Sequence, residues 1–191
     1  MMDGRLKLIV DHAKWRAGGR DVVVTNGCFD LLHAGHVRSL EAAKAEGEFL
    51  VVLVNTDLSV RQLKGDTRPV QTYADREAML NALRCVDVVL PFFDEHCGAE
   101  IAAIMPAVYA KSEEYRDCQH PAERKALEEC GARVVWLERE QAYSSTELMA
   151  RIAQVHAAES AAETLKRKAA GWAGPRNLTE VPKTDPEWGT V

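Results

Sequence analysis

Residues 21–36 read DVVVTNGCFDLLHAGH, and this stretch decides the fold. The β-branched run Val22 to Val24 predicts a strand, which ends at Asn26-Gly27. Apolar residues then recur at helical spacing from Val37 to Glu46, so a short loop leads from the strand directly into a helix. A strand, a loop and a helix in this order form the beginning of a βαβ unit.

The same alternation continues along the chain. Further short apolar runs, typical of strands covered on both faces, occur at residues 49–54, 86–90, 107–110 and 132–137. Helical patterns follow at residues 75–83, 100–105, 122–130 and 146–158. We therefore predict an α/β fold with a doubly wound parallel sheet, in which ligands bind at the carboxyl ends of the strands.

The length and the hydrophobic content favour one domain. The chain has 191 residues, of which 47% are hydrophobic, enough for a single substantial core. We expect a lead-in helix within residues 1–20, one domain over residues 21–158, and a helix extension with a flexible tail over residues 159–191. Trp172 and Trp188 in this tail could instead attach it to a partner subunit.

Charge and cysteine content exclude several classes of protein. A formal net charge of −5 argues against a general nucleic-acid or anionic-membrane binder. The five cysteines contain no CxxC pair, and no run of about 18 apolar residues or signal-peptide core is present. We therefore predict a cytoplasmic protein with no nucleic-acid partner, no membrane partner and no dedicated protein metal site.

Two histidines mark the candidate site. His33 and His36 stand three residues apart where the loop joins the predicted helix, so both imidazoles can reach one anion and stabilise charge on a phosphoryl group. Gly27 and Gly35 allow a sharp turn and close approach to a ligand, and the helix start supplies free N–H groups. Two unrelated surface or capping histidines are the alternative. The order of strand, Asn-Gly turn, HxGH and helix favours the phosphate site.

The segment GCFDLLHAGH resembles the GxFDxxHxGH signature of the HxGH nucleotidyltransferase superfamily, the cytidylyltransferase-like enzymes of Rossmann-like fold. The blocks VVLVNTDLSVRQLKGDTRPV, ADREAMLNALRCVDVVLPF and AYSSTELMARI extend the resemblance over residues 6–152. They are most similar to the heptose 1-phosphate adenylyltransferases of ADP-heptose synthesis. The resemblance implies that AMP is transferred from ATP to a small phosphorylated acceptor, with Mg²⁺ accompanying the nucleotide, and that the protein is a homodimer.

The resemblance also implies the residues of the site. The catalytic positions are His33, His36 and Lys64. The nucleotide-binding positions are Asn26, Gly27, Cys28, Phe29, His33, Gly35, His36, Arg139, Tyr143, Ser144, Ser145 and Thr146. The substrate-binding positions are Asp30, Asn55, Lys64, Arg68, Arg76 and Lys111. In an acidic protein the basic cluster around Lys64 and Arg68 is a reasonable phosphate clamp, although a solvated charge cluster would have the same composition.

The hydroxyl residues from Tyr143 to Thr146 precede the last predicted helix, where they can cap it while its N–H groups face an anion. Capping alone would explain one of them, but together they resemble the family's (I/Y)STT signature. Arg139 coincides with the arginine of the cytidylyltransferase signature RTxGxST, whereas Glu140 does not match its threonine. The choice between ATP and CTP therefore stays open.

The block KSEEY, residues 111–115, departs from the KGxDY block of the heptose enzymes. Ser112 replaces a glycine, and Glu113 would repel a neighbouring phosphate. The change motivates the hypothesis of an acceptor that bears an ammonium group, or of a phosphonate or other phosphorylated compound. Equal activity of wild type and Glu113→Gly on heptose phosphate would count against it.

Two further functions are kept as alternatives. One is a cytidylyltransferase that uses CTP with glycerol 3-phosphate, another polyol phosphate or a phosphonate. The other is a catalytically weak nucleotide-binding module, for which the altered KSEEY block would be the mark. A class I aminoacyl-tRNA synthetase is disfavoured by the short chain, the acidic charge balance and the lack of a KMSKS-like segment.

Overall fold

The computed structural model describes residues 21–138 and 145–169. The chain divides into two compact units, one ending at Glu147 and the other beginning at Leu148. The predicted lead-in helix, as well as Trp172 and Trp188 of the predicted tail, lie outside the described residues.

The first unit alternates strands and helices, as the sequence predicts. The strands are β1 Val22–Gly27, β2 Phe49–Asn55, β3 Val88–Phe92, β4 Val108–Ser112 and β5 Arg133–Leu137. The helices are α1 Ala34–Ala45, α2 Asp57–Lys64, α3 Tyr73–Asn81, α4 Gly98–Ile104 and α5 Pro121–Cys130, with a 3₁₀ turn at Glu113–Tyr115. Helix α6, Ser145–Ala169, begins in the first unit and continues into the second.

All five strands are parallel and lie in the order β3-β2-β1-β4-β5. The predicted parallel α/β fold is thus confirmed. Because β1 is central, the chain leaves it toward β2 on one side and returns to β4 on the other. The crevice at such a reversal of strand order, outside the carboxyl ends of the strands, is where ligands bind in open α/β sheets.

Each face of the sheet packs into its own apolar core. On one face Val22, Val24 and Leu53 pack with residues of α4 and α5. On the other face Val23 and Val52 pack with residues of α1 and α3. Alternate residues of a strand point to opposite faces, so a strand buried on both faces reads as an unbroken apolar run. This doubly wound arrangement holds the carboxyl ends of β1 and β4 side by side.

Helix α2 was not among the predicted helical patterns. It is only eight residues long, and of its apolar residues Val60 is buried whereas Leu58 and Leu63 are exposed. The Thr56 hydroxyl accepts a hydrogen bond from the Ser59 N–H and caps the helix. Lys64 is its last residue, so the helix carries the predicted catalytic lysine at its carboxyl end.

The second unit contains the rest of α6, on which Leu148, Ile152 and Val155 have exposed side chains. The sequence predicted that the last helix extends beyond Ala158, and it continues to Ala169. Within the described part of the chain, no helix is long and apolar enough to cross a membrane.

Candidate active site

The loop after β1 turns at Phe29, which the sequence predicted as a nucleotide-binding position but not as a turn residue. Phe29 adopts a left-handed backbone conformation with φ of 47°, whereas Gly27 and Gly35 are not among the described glycines with positive φ. The left-handed position of the turn is therefore Phe29 rather than one of these glycines. A Cβ atom at Gly27 would lie 3.1 Å from the Phe29 ring, so Gly27 instead makes room for that ring.

The two histidines of the motif lie against each other at the start of α1. Their rings are stacked, with centroids 3.8 Å apart and planes 17° from parallel. His33 is the N-cap residue, and its Nδ1 accepts a hydrogen bond from the His36 N–H at 3.3 Å. An imidazole that accepts at Nδ1 carries its proton at Nε2 when neutral, so His33 retains an N–H donor on the opposite side of the ring.

Both imidazoles line an open cleft of about 740 Å³ at the carboxyl end of the sheet. Its walls come from α1, the end of α2, the segments after β4 and β5, and the first turn of α6. The lining residues are His33, Gly35, His36, Arg38, Ser39, Ala42, Lys64, Ser112, Glu114, Tyr115, Leu137, Glu138, Ser145 and Thr146. The sequence predicted His33, Gly35, His36, Lys64, Ser145 and Thr146 for the site, and the structure brings them together around this cleft.

The cleft carries charges of both signs. Lys64 and Arg38 are its cations, and Glu114 and Glu138 are its carboxylates. Arg38 was not predicted, although a basic residue two positions after the motif, on the helix that starts there, was the signal available. Cations beside two imidazoles and a helix start form a surface suited to several phosphate oxygens.

Hydroxyl groups complete one wall. Ser145 and Thr146 begin α6, and the Ser145 hydroxyl donates to the Leu31 carbonyl oxygen at 3.3 Å. Ser145 thereby ties the start of α6 to the loop that carries His33. The other predicted members of this group, Arg139, Tyr143 and Ser144, lie outside the described residues.

Asp30 and Arg68 form a buried support beside the cleft. The Asp30 carboxylate is 2% exposed and accepts from Arg68 Nη1 at 2.7 Å, from the Val70 N–H at 2.6 Å and from the Gln71 N–H at 3.3 Å. These contacts hold the segment after α2 against the loop between β1 and α1, residues 28–33, called the motif loop below. Both residues were predicted to bind substrate, but neither lines the cleft.

Arg76 is also a support. Its side chain is fully buried and donates to the Gln71 carbonyl at 3.2 Å, the Cys28 carbonyl at 2.6 Å and the Asp57 carboxylate at 2.8 Å. A guanidinium enclosed in this way does not face the cleft. The geometry thus differs from the predicted substrate contact and makes Arg76 a clamp that joins α2, α3 and the motif loop.

Cys28 and Asn55 contact each other behind the cleft. The Cys28 thiol donates to Asn55 Oδ1 at 3.4 Å, and Asn55 Nδ2 donates to the Ser59 hydroxyl at 2.8 Å. Burial is the largest cause that raises the pKa of the Cys28 thiol, although Lys64, Arg76 and Lys111 oppose it. A protonated thiol is a poor nucleophile, so Cys28 is suited to backbone contacts rather than to thiol chemistry.

Lys111 and Asn26 meet at the ends of β4 and β1. The Lys111 ammonium donates to the Asn26 carbonyl at 3.2 Å and also to Asn26 Oδ1, and it lies 4.7 Å from the centre of the Tyr115 ring. Tyr115 lines the cleft, so Lys111 stands directly behind its wall. Asn26 Nδ2 in turn donates to Glu123 at 3.2 Å, a buried residue that the sequence analysis missed.

The acidic residue that faces the cleft differs from the predicted one. Glu113 forms an exposed ion pair with Arg116 at 3.2 Å, whereas Glu114 lines the cleft beside Ser112 and Tyr115. The prediction that Glu113 would repel a phosphate therefore applies to Glu114 instead. Ser112 also lines the cleft, and alternate residues of a strand share a face, so the side of Glu114 follows from that of Ser112.

The sequence model of a family described as cytidylyltransferase-like matches residues 24–151 of this chain. Several curated relatives are named bifunctional protein HldE. The one from Coxiella burnetii (strain RSA 493 / Nine Mile phase I) is 39% identical over 142 residues, which are 74% of this chain and 30% of the relative. The one from Hydrogenovibrio crunogenus is 42% identical over 145 residues, which are 76% of this chain and 30% of the relative. The chain therefore spans less than a third of the length of these relatives.

Two solved structures share the fold. One is a lipopolysaccharide core biosynthesis protein from Thermoplasma volcanium, with a TM-score of 0.52 at 23% identity, and the match covers 66% of this chain and all of that one. The other is a pantoate-beta-alanine ligase from Francisella tularensis, with a TM-score of 0.53 at 14% identity, covering 72% of this chain and 66% of that one. At these identities the two likenesses establish the architecture alone.

Proposed function

Since the chain belongs to the cytidylyltransferase-like family, we propose that it is a nucleotidyltransferase that moves AMP from ATP to a small phosphorylated acceptor. Heptose 1-phosphate is the first acceptor to consider, because the blocks along the chain resemble the heptose 1-phosphate adenylyltransferases. The observation that carries the proposal is the stacked His33–His36 pair facing a cleft that also holds Lys64 and Arg38.

The reaction needs no protein nucleophile. A phosphate oxygen of the acceptor attacks the α-phosphorus of the nucleotide, the bond to the bridging oxygen of the β-phosphate breaks, and pyrophosphate leaves with that electron pair. Negative charge spreads over the equatorial oxygens during this exchange, so catalysis depends on positioning and on charge stabilisation. His33 can donate from Nε2 because its Nδ1 is engaged by the helix cap.

The other cleft residues supply positive charge and hydrogen-bond donors to the phosphate groups of the nucleotide. Lys64 at the end of α2 and Arg38 on α1 bring positive charge to the β- and γ-phosphates and to the leaving pyrophosphate. The first turn of α6 offers the Thr146 hydroxyl and helix N–H groups to the same oxygens, while the Ser145 hydroxyl is engaged with the Leu31 carbonyl. Lys111, anchored on Asn26 behind the wall, adds a cation on the β4 side.

The oxygen donors of the cleft fit a hard cation that enters with the nucleotide. Mg²⁺ prefers oxygen ligands, and most of its ligands are phosphate oxygens and water molecules. The protein would therefore contribute at most one or two contacts, from Glu114, Glu138 or Thr146. The described residues contain no group of three or more His, Cys, Asp or Glu that could hold a metal by themselves. Bound Mg²⁺ would neutralise phosphate charge and align the leaving group.

The test is pyrophosphate release in the presence of Mg²⁺, with ATP, CTP, GTP and UTP crossed against heptose 1-phosphate, glycerol 3-phosphate and a small phosphonate panel. The background is the variant in which both His33 and His36 are asparagine. We expect release with ATP and a sugar 1-phosphate in wild type alone. Release with CTP only would instead identify a cytidylyltransferase. Nucleotide binding without release from any acceptor would favour the binding module.

A further inference from the structure

One buried carboxylate collects donors from three parts of the chain. Glu123, near the start of α5, is 5% exposed. Its Oε1 accepts from Asn26 Nδ2 at 3.2 Å, from the Cys97 N–H at 3.2 Å and from the Cys97 thiol at 3.3 Å. Its Oε2 lies 3.3 Å from the Tyr109 hydroxyl. Oε1 thus accepts from three donors, whereas the single proton of the Tyr109 hydroxyl can be given either to Oε2 or to the nearer Asn26 Oδ1.

The contact with Asn26 determines which way its amide faces. Asn26 Oδ1 accepts from the Tyr109 hydroxyl at 2.8 Å and from the Lys111 ammonium, while Nδ2 donates to Glu123. In the flipped amide, Nδ2 would face the ammonium and Oδ1 would face the carboxylate, and both contacts would be repulsive. The carboxylate and the ammonium therefore fix one amide orientation between them.

The amide also separates the two charges. Lys111 does not contact the Glu123 carboxylate but is held by two oxygens of Asn26, so two of its three N–H donors are directed there. An ammonium held by neutral oxygens keeps more of its attraction for an incoming phosphate than one in a direct ion pair. The Tyr115 ring beside it lines the cleft, so this charge lies one side chain behind the cleft surface.

We propose that Glu123 is a positioning residue, which orients the Asn26 amide and through it holds the Lys111 ammonium behind the cleft wall. Its part in the reaction rests on the proposed function. Its part in holding Lys111 does not. Glu123 does not line the cleft and is not a catalytic residue.

The first experiment measures the position of Lys111 without relying on activity. The folded wild type and its variants are treated with N-hydroxysuccinimidyl acetate, and acetylation of each lysine is followed by mass spectrometry. We expect Glu123→Ala to speed acetylation of Lys111 about 5-fold, because an ammonium freed from this hydrogen-bond network is more accessible to the reagent. Glu123→Gln, which keeps one acceptor oxygen and the side-chain volume, should give a smaller rise of about 2-fold.

Two controls match this experiment. Lys125 lies on the same helix with a 75% exposed side chain, so its acetylation rate should stay constant in every variant. Glu128→Gln removes an exposed carboxylate from α5 and should change neither lysine. An unchanged Lys111 rate in folded Glu123→Ala would overturn the proposal. If Glu123→Ala does not fold, an unchanged rate in Glu123→Gln overturns it.

The second experiment is a double-mutant cycle on pyrophosphate release. We expect Glu123→Gln to lower kcat with little change in the KM for nucleotide, and to have no further effect in a Lys111→Met background. If the two substitutions instead lower kcat by independent factors that multiply in the double variant, Glu123 does not act through Lys111, and the proposal is overturned. If wild type releases no pyrophosphate from any acceptor, the proposed function fails, and the acetylation rates still decide the position of Lys111.

Discussion

At the scale of single residues, His33 combines two tasks that a substitution can separate. Its Nδ1 caps α1 by accepting from the His36 N–H, and the residue also lines the cleft. A plain His33→Ala change removes both the cap and the imidazole. Loss of a cap costs about 1 kcal/mol of stability, which would complicate any effect on turnover.

His33→Asn should lower kcat by about 100-fold or more, since it removes a donor to the transition state while asparagine still caps the helix. Its melting temperature should stay close to that of wild type, whereas His33→Ala should melt lower. The measurement pairs pyrophosphate release with thermal unfolding, and His156→Asn on the exposed part of α6 is the control. Near-normal turnover of His33→Asn would show that His33 takes no part in the reaction.

Glu114 and Glu113 offer a matched pair. Glu114→Gln should lower the KM for a phosphorylated acceptor without an amine about 5-fold, because a like charge a few ångströms away costs about 1 kcal/mol in a solvated cleft. Glu113→Gln should leave the KM unchanged, since Glu113 is turned toward Arg116. Steady-state kinetics of both variants measures this, and equal responses would contradict the assignment.

Residues whose partners lie nearby in the sequence could be predicted, whereas residues whose partners lie far along the chain could not. His33 and His36 belong to one contiguous motif, so their meeting at one cleft was predictable. Glu123 lies in the segment PAERKALEEC, where a carboxylate in the first turn of a helix is indistinguishable from an ordinary surface charge. Only the parallel sheet brings it to Asn26, whose partners Tyr109 and Lys111 lie on another strand.

At the scale of elements, the active cleft depends on how α2 and α3 are joined to the motif loop. Arg76 of α3 binds Asp57 of α2 and the Cys28 carbonyl with different nitrogens of one guanidinium. Lysine offers one ammonium in place of this planar fork. The Arg76 side chain is fully buried, whereas that of Asp57 is 30% exposed, so a shortened cation at position 76 would be left buried with fewer partners.

Arg76→Lys should lower the free energy of unfolding by about 2–4 kcal/mol, since it breaks a buried charge network. The KM for nucleotide should change little in the protein that remains folded. Urea unfolding and kinetics are measured together, with the exposed Arg61→Lys of α2 as the control. A raised KM at unchanged stability would instead support the predicted contact between Arg76 and the substrate.

The strands were predictable because each is an apolar run covered on both faces, and their predicted bounds lie within two or three residues of the observed ones. Helix α2 was not, because it has only eight residues and only Val60 of its three apolar residues is buried. The left-handed turn at Phe29 was also unpredictable, since Asn26-Gly27 provided the more conventional turn signal and an aromatic residue seldom adopts positive φ.

At the scale of the whole molecule, the core carries several groups that are stable only when protonated. Burial raises the pKa of the Cys28 and Cys97 thiols and that of the Tyr109 hydroxyl, with the Glu123 carboxylate adding to the last two. Burial likewise raises the pKa of the Tyr73 hydroxyl, which is hydrogen-bonded to Glu77. These groups bind protons more tightly in the folded than in the unfolded chain.

Stability should therefore fall on the alkaline side. With folded pKa values above the usual 9.0 for thiols and 10.0 for tyrosines, the contribution is complete below these values and is lost as the pH rises through them. We expect the melting temperature to be steady from pH 7 to 8.5 and to drop toward pH 10.5. The drop should be smaller in Tyr109→Phe. A pH-independent melting temperature across this range would contradict the buried titrations.

The central position of β1 has a consequence for folding kinetics. The HxGH segment is continuous in sequence, yet the partners that anchor its neighbour Asn26 are 83, 85 and 97 residues further along the chain. Contacts of such separation form late, because the loop between the partners must close first. During synthesis the histidine pair emerges early, but the site can be completed only after β4 and α5 have docked. Nucleotide binding would thus report the last step of assembly rather than the first.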